Sequence, residues 1–133
     1  MAVSVEVSPL DVIFPSGVFP SACPSRVVLD HITSKWGVLV LVALTGRTLR
    51  WGELRRRVEG ISEKMLAQTL QWLEQDGFVK RIAHQAAPPH VEYKLTPLGE
   101  ALSARVREVL DWIEDNFGAI QVAQQRQADA AAS

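Results

Sequence analysis

The stretch "GISEKMLAQTLQWLEQDGFVKR", residues 60–81, combines a turn, an amphipathic helix, a stop signal and a charged strand. Ser62 is a candidate helix cap, because its hydroxyl oxygen can accept a hydrogen bond from a backbone amide of the first turn. At 100° per residue, one arc of the helix carries three leucines: Leu66, Leu70 and Leu73. The opposite arc carries polar side chains: Lys64, Gln68, Gln71 and Gln75. The segment therefore predicts a helix with one buried face and one hydrogen-bonding face.

Three further elements are predicted before this helix. Residues 24–33 favour a short helix begun by Pro24. Residues 34–45, "SKWGVLVLVALT", are apolar on nearly every side, which predicts the central buried helix of the domain. After the short extended stretch 48–51, "GELRRRVEG" predicts a brief helix with Leu54 and Val58 inward and its arginines outward.

A hairpin and a long helix are predicted after it. The alternating pattern predicts two strands, over residues 78–84 and 91–95. The segment "QAAPPH" between them is predicted to be a loop, because Pro88-Pro89 cannot pair in a ladder. Thr96-Pro97 is a cap followed by a first-turn proline. The helix it begins carries one apolar stripe: Leu98, Leu102, Val106, Val109, Ile113 and Phe117. Such a stripe exceeds what a small domain can cover, so we expect a second chain to bury part of it.

The length and composition fit one domain with ordinary charge. The 133 residues carry a net charge of −1, and 22% of them are charged. We expect an N-terminal arm over residues 1–22, a folded domain over 23–117 and a flexible C-terminal tail over 118–133. The apolar run "WGVLVLVAL" is too short to span a bilayer, and residues 1–22 lack the pattern of a signal peptide.

The residue types also narrow the function. Cys23 is the only cysteine, so no internal disulfide and no thiolate zinc site can form, and a reducing cytoplasm is the expected compartment. No paired carboxylates, Ser/His/Asp set or Gly-rich phosphate loop occurs, which argues against an enzyme. His31, His84 and His90 lack ligand spacing, so we expect no metal and no cofactor.

The order of elements fits a mostly helical α+β fold, the winged helix-turn-helix. A helix fits the DNA major groove, about 12 Å wide, where glutamine can pair with adenine and lysine with guanine or phosphate. Residues 47–94 hold nine Lys or Arg against six Asp or Glu. The candidate DNA contacts are Arg50, Arg55, Arg56, Ser62, Lys64, Met65, Gln68, Thr69, Gln71, Arg81, His84 and His90. A solvated helix face and a solvated arginine run would show the same residues, so the pattern alone leaves both interpretations open.

Three stretches resemble the HxlR-type regulators. They are "CPSRVVLDHITSKWGVLVLVAL" (23–44), "RWGELRRRVEGISEKMLAQTLQWLEQDGFVKR" (50–81) and "PPHVEYKLTPLGEAL" (88–102). The resemblance implies a dimeric winged-helix transcription regulator with helix 62–75 as recognition helix and 85–90 as wing tip. The chain departs from the family pattern at four positions: Trp51 for Phe, Gly52 for Ser, Thr69 for Arg and His90 for Arg. The last two remove positive charge near the expected DNA face.

Dimerisation is expected through the N-terminal segment and the long C-terminal helix. The candidate interface residues are Val28, Ile32, Val109, Trp112, Ile113 and Phe117.

Cys23 allows two interpretations. Family members that sense oxidants or electrophiles often use a cysteine here, and a helix N-terminus favours a thiolate. Otherwise Cys23 is a small residue that packs the first helix at the interface.

We therefore expect a cytoplasmic, homodimeric, sequence-specific DNA-binding regulator of a two-fold-related operator, with an oxidant or small molecule as inducer. Two alternatives stay open. One is a regulator that senses an apolar or aromatic ligand at the dimer core, with Cys23 structural. The other is a winged-helix module that binds a partner protein.

Overall fold

A computed structural model describes residues 23–132, which form six helices and a three-stranded sheet. The elements in chain order are α1 (Pro24–Thr33), α2 (Lys35–Ala43), β1 (Leu49–Arg50), α3 (Trp51–Arg57), α4 (Glu63–Gln75), β2 (Val79–His84), β3 (His90–Leu95), α5 (Pro97–Asp115) and α6 (Phe117–Ala132). This is the winged helix-turn-helix order that the sequence predicts. The predicted N-terminal arm, residues 1–22, lies outside the described residues.

Helix α2 is the centre of the core, as its apolar sequence predicts. Ser34 caps it by accepting a 2.9 Å hydrogen bond from the Gly37 amide. Its buried side chains Val40 and Leu41, with Leu44 at its C-terminal end, belong to the same apolar cluster as the leucines of α4. Because α2 is covered on most sides, the helices around it are fixed relative to one another.

The helix-turn-helix consists of α3, residues 58–62 and α4. Leu54, Val58 and Ile61 are buried and tie α3 and the turn to the core. Ser62 caps α4 by accepting a hydrogen bond from the Met65 amide at 3.1 Å. At the other end, Gly77 adopts φ +83°, and the Phe78 amide donates to the Leu73 carbonyl at 2.9 Å. This left-handed turn ends α4 and directs the chain into β2.

The sheet is antiparallel in the order β1–β3–β2, so the short β1 extends the predicted hairpin to three strands. The hairpin register places Val79 opposite Leu95 at its base and His84 opposite His90 at its tip. β1 pairs with β3 through Leu49 opposite Tyr93. The hairpin projects from this anchored base as the wing.

The C-terminal part forms two helices where the sequence predicts one helix up to Phe117, and most of the predicted tail, residues 118–133, lies in the second helix. α5 ends at Asp115, Asn116 adopts φ −111° and ψ 9°, and α6 begins at Phe117. The Asn116 side-chain amide donates to the Trp112 carbonyl at 2.8 Å, a local bond that competes with regular helix. Alanine has the highest helix propensity, which explains how the Ala-rich residues after Gly118 form a helix that buries no side chain in the chain itself.

The start of α5 is clamped to the base of the hairpin. The Thr96 hydroxyl donates to the Gly77 carbonyl at 2.6 Å and accepts from the Gly99 amide at 3.0 Å. Gly99 packs directly on the backbone of Phe78, where a Cβ atom would lie 2.0 Å from the Phe78 carbonyl oxygen. Only glycine allows α5 to approach the hairpin this closely.

We predict that Gly99→Ala lowers the free energy of unfolding by at least about 1–3 kcal/mol, because the added methyl group meets rigid backbone. Gly118→Ala is the matched control: a Cβ there meets nothing within 4 Å, so the same change should stabilise its helix by about 0.5–1 kcal/mol. Urea denaturation of both variants measures the difference. Equal effects of the two substitutions would contradict the clamp.

Candidate nucleic-acid interface

The outer face of α4 is polar and accessible. Lys64 and Gln71 are exposed and Gln68 is partly exposed, whereas Leu66, Leu70 and Leu73 on the opposite face are at most 2% exposed. This outer face, which we call the reading face, offers amide and ammonium groups in the arrangement that base edges in a major groove require.

The N-terminal end of α4 and helix α3 border the reading face with arginines. Arg50 and Arg56 are exposed. Arg55 is also exposed, and its Nη1 lies 3.2 Å from Oε1 of Glu63, the first residue of α4. Met65 is partly buried. An anion bound beside Arg55 would have to compete with the Glu63 carboxylate for the guanidinium.

The hairpin carries three exposed cationic side chains, Lys80, Arg81 and Lys94, and two histidines that contact one carboxylate. Arg81 is exposed and lies opposite Tyr93 in the ladder. The rings of His84 and His90 stack with centroids 4.5 Å apart. Both approach the carboxylate of Glu92: His84 through Nε2 in close contact, and His90 through Nε2 at 3.7 Å. The sequence predicts the histidines as separate contacts, but the structure brings them together around Glu92.

Glu92 was missed by sequence reasoning, although the pattern contained a signal. Once His84 and His90 are paired across the hairpin, residue 92 lies two positions along the same strand and therefore on the same face as His90. The register was needed to see this, and spacing along the chain alone does not supply it.

Thr69 is a correction to the predicted contacts. Its side chain is 1% exposed and therefore cannot contact DNA from within the folded domain. At 100° per residue, Thr69 lies only about 40° from Leu73, so it falls within the buried arc. Its hydroxyl oxygen has no hydrogen-bond partner among the described residues.

The fold agrees with comparisons to known proteins. The model of the HxlR-like helix-turn-helix family matches residues 31–121. This chain belongs to that family. The HxlR-like chain is 61% identical over 100 residues to the HTH-type transcriptional regulator YtfH of Escherichia coli strain K12, which covers 75% of this chain and 79% of YtfH.

Two solved structures extend the comparison. The transcriptional regulator ytfH from Salmonella typhimurium is 57% identical, with a TM-score of 0.74, covering 84% of this chain and 97% of that one. The oxidized form of the redox regulator HypR is 36% identical, with a TM-score of 0.64, covering 71% of this chain and 97% of HypR. The HxlR-like chain is accordingly a transcriptional regulator with a helix-turn-helix DNA-binding domain, and its relatives form a non-enzymatic class.

The candidate interface and sensor residues of the HxlR-like chain lie away from the reading face. Cys23 is partly buried at the N-cap of α1, with no capping bond from its side chain. On the same helix, His31 Nδ1 contacts Asp76 Oδ2 at 2.6 Å and the His31 ring stacks on Trp72. Four predicted dimer residues are exposed: Val109, Trp112, Ile113 and Phe117. Val28 and Ile32 on α1 are partly buried.

Among the described helices, none combines the length and apolar character needed to cross a bilayer.

We predict that Thr69→Val raises the free energy of unfolding by about 1 kcal/mol and leaves DNA affinity unchanged, because it replaces an unpaired buried hydroxyl with a methyl group of similar shape. Thr45→Val is the control. The Thr45 hydroxyl donates to the Leu41 carbonyl at 3.1 Å, so removing it should not stabilise the protein. Denaturation curves test both, and a destabilised Thr69→Val variant would show that the hydroxyl has a partner.

Proposed function

We propose that this regulator binds a specific, two-fold-related DNA site as a homodimer, with α4 of each subunit in a major groove. The observation that supports this most strongly is the position of the reading face. The three buried leucines fix the rotation of α4 about its axis, so Lys64, Gln68 and Gln71 must point outward. A groove-reading helix requires this combination of a rigid inner face and an accessible donor–acceptor outer face.

The flanking cations supply the remaining contacts in this proposal. Gln68 and Gln71 pair with adenine edges, and Lys64 donates to guanine or to phosphate. Arg50, Arg56 and Arg81 contact phosphates and set the register of α4 without reading sequence. Arg55 joins them if a phosphate displaces Glu63, the residue that it now contacts.

The homodimer is supported by the apolar surface of α5 and α6. Val109 and Trp112 are each 59% exposed and lie on one side of α5, and Phe117 at the start of α6 is 45% exposed. A groove of about 280 Å³ between α1, α2 and α5 adjoins it, lined by Ile32, Val38, Val106 and Ile113 among others. Burial of this surface by a second copy would pair two reading faces, which is what a two-fold operator requires.

We predict that Lys64→Ala combined with Gln68→Ala weakens specific binding by about 1–3 kcal/mol per lost base contact, with the fold unchanged. Gln75→Ala is the matched control. Gln75 lies on the same arc but eleven residues beyond Lys64, about 16 Å farther along the helix axis, and should leave affinity unaltered. Titration of an operator selected from random DNA, at fixed salt, gives both values.

Repeating the titration at several salt concentrations separates DNA binding from the rival function of a protein-binding module. Affinity for DNA should fall steeply as salt increases, with a slope set by the number of phosphates neutralised. If the double variant keeps full affinity for the selected operator, the assignment of the reading face is wrong. If no duplex is selected at low salt, the protein-binding module is favoured instead.

We further propose that Cys23 makes the regulator responsive to oxidants. Two observations support this: the thiol is partly exposed at the N-terminus of α1, and the related HypR is described as a redox regulator. With one cysteine per chain, a two-electron oxidant would join two Cys23 thiols into an intersubunit disulfide. The two thiols lose two protons and two electrons, and the oxidant accepts the electrons. The disulfide would change how the α1 helices, and with them the two reading faces, are held.

The alternative inducer is an apolar or aromatic molecule bound at the dimer core. The groove beside Ile32 and Val106 supports it, because its lining is almost entirely apolar. In that case Cys23 only packs α1, and the response to an inducer is independent of the thiol.

We predict that Cys23→Ser abolishes the release of DNA by a thiol oxidant such as diamide while leaving affinity under reducing conditions unchanged. Non-reducing electrophoresis should show a covalent dimer for the oxidised wild type and none for the variant. Cys23→Ala serves as the control for packing, because it removes the thiol without adding a hydroxyl. A variant that still releases DNA on oxidation would exclude thiol sensing and favour the apolar-ligand alternative.

A further inference from the structure

The tip of the hairpin brings together three side chains that commonly bind metal ions. His84 and His90 face each other across the β2–β3 ladder, and Glu92 lies on the same face of β3. One ligand atom from each of the three residues lies within 4.8 Å of the other two. Nε2 of His84 is buried and lies against Oε1 of Glu92 without the geometry of a hydrogen bond.

The orientation of His90 is set by the loop. Its Nδ1 lies 3.2 Å from the Pro88 carbonyl oxygen, and a carbonyl oxygen can only accept, so Nδ1 carries the proton. In the neutral ring, Nε2 then has a free lone pair, and it points toward Glu92 at 3.7 Å from Oε1. A backbone carbonyl on the far nitrogen is the usual arrangement around a metal-binding histidine.

We propose that the hairpin tip binds one divalent cation of the zinc class through Nε2 of His84, Nε2 of His90 and the Glu92 carboxylate. Zinc bonds of about 2.0–2.2 Å at tetrahedral angles separate ligand atoms by about 3.3 Å. The His90–Glu92 distance of 3.7 Å is already close to this value. Small rotations of the His84 and Glu92 side chains would bring the third ligand to the same spacing.

The ligand set selects the class of ion. Two imidazoles and one carboxylate suit Zn²⁺, Co²⁺, Ni²⁺ or Cu²⁺, whereas Mg²⁺ and Ca²⁺ prefer oxygen ligands. The side chains are 25–40% exposed, so an ion can reach the site and a fourth position remains open to solvent. Three protein ligands with one open position are the arrangement found in zinc sites that keep a water molecule.

A bound ion would cross-link the two strands of the hairpin near its free end. His84 is the last residue of β2, and His90 is the first residue of β3. Residues 85–89 between them are exposed and form no part of the sheet. Coordination would therefore restrain the segment of the wing that has the fewest backbone bonds.

The simplest competing explanation is that Glu92 forms ordinary ion pairs with the two histidines. The test uses the untagged, full-length chain without DNA, so its outcome does not depend on the proposed function. Co²⁺ serves as the probe, because four-coordinate Co²⁺ absorbs visible light, and Zn²⁺ is added to displace it. We expect one Co²⁺ per chain, visible absorption that Zn²⁺ abolishes, and at least ~10-fold weaker binding in Glu92→Gln and His90→Ala.

Glu74→Gln is the matched control, because Glu74 is an exposed carboxylate on α4, outside the cluster. It should bind Co²⁺ as the wild type does. Amide hydrogen exchange gives a second measurement: Zn²⁺ should slow exchange in β2 and β3 of the wild type but not of Glu92→Gln. Absence of Co²⁺ absorption in the wild type, or equal binding by Glu92→Gln and the wild type, would overturn the proposal and leave the ion pairs.

Discussion

Packing of the α4 leucines against α2 is the contact on which the rest of the structure depends. Leu66 and Leu73 are fully buried, and they share one apolar cluster with Val40 and Leu41 of α2. Truncating one such leucine to alanine typically costs about 2–5 kcal/mol. Because this packing fixes the rotation of α4, it also decides that the lysine and glutamines of the same helix face outward. The stability of the domain and the exposure of its reading face thus have one cause.

The wing and the C-terminal helices are positioned relative to that helix pair. The turn at Gly77 directs the chain from α4 into β2, and Thr96 ties the start of α5 back to the Gly77 carbonyl. Helix α4, the wing and α5 are therefore all anchored at the turn around Gly77. A change in how α5 and α1 pack against a second subunit would be transmitted to α4 through this turn. A sensor at Cys23 is therefore compatible with control of DNA binding.

Periodic features of the sequence predicted the fold well. The helix-turn-helix was predicted from the leucine spacing in residues 66–73 and from the Ser62 cap, and the hairpin from the alternating strands. Each of these patterns is determined by residues that are close together in the sequence. Membership of the HxlR-like family and the winged fold were correctly identified. The placement of Lys64, Gln68 and Gln71 on one accessible face agrees with the helical wheel, whereas their DNA contacts remain predictions.

Two kinds of feature were harder to predict: those in which a side chain competes with the backbone for a hydrogen bond, and those that depend on strand register. Thr69 was predicted as a DNA contact, although its angle on the helix wheel lies only about 40° from that of the buried Leu73. The end of α5 lies at Asn116, whose side-chain amide donates to the Trp112 carbonyl. The cluster of His84, His90 and Glu92 exists only because the ladder pairs residue 84 with residue 90, a register that separations along the chain do not reveal.

The accessible face of α4 and its use in a major groove form the central claim. The most direct measurement combines hydroxyl-radical footprinting with methylation interference at guanine N7 on an operator selected from random DNA. We predict two related protected patches whose centres are separated by one helical turn, about 10–10.5 base pairs, or a multiple of it, with interference from N7 methylation in the major groove. A single patch, or binding that N7 methylation leaves unchanged at every guanine in the site, would contradict it.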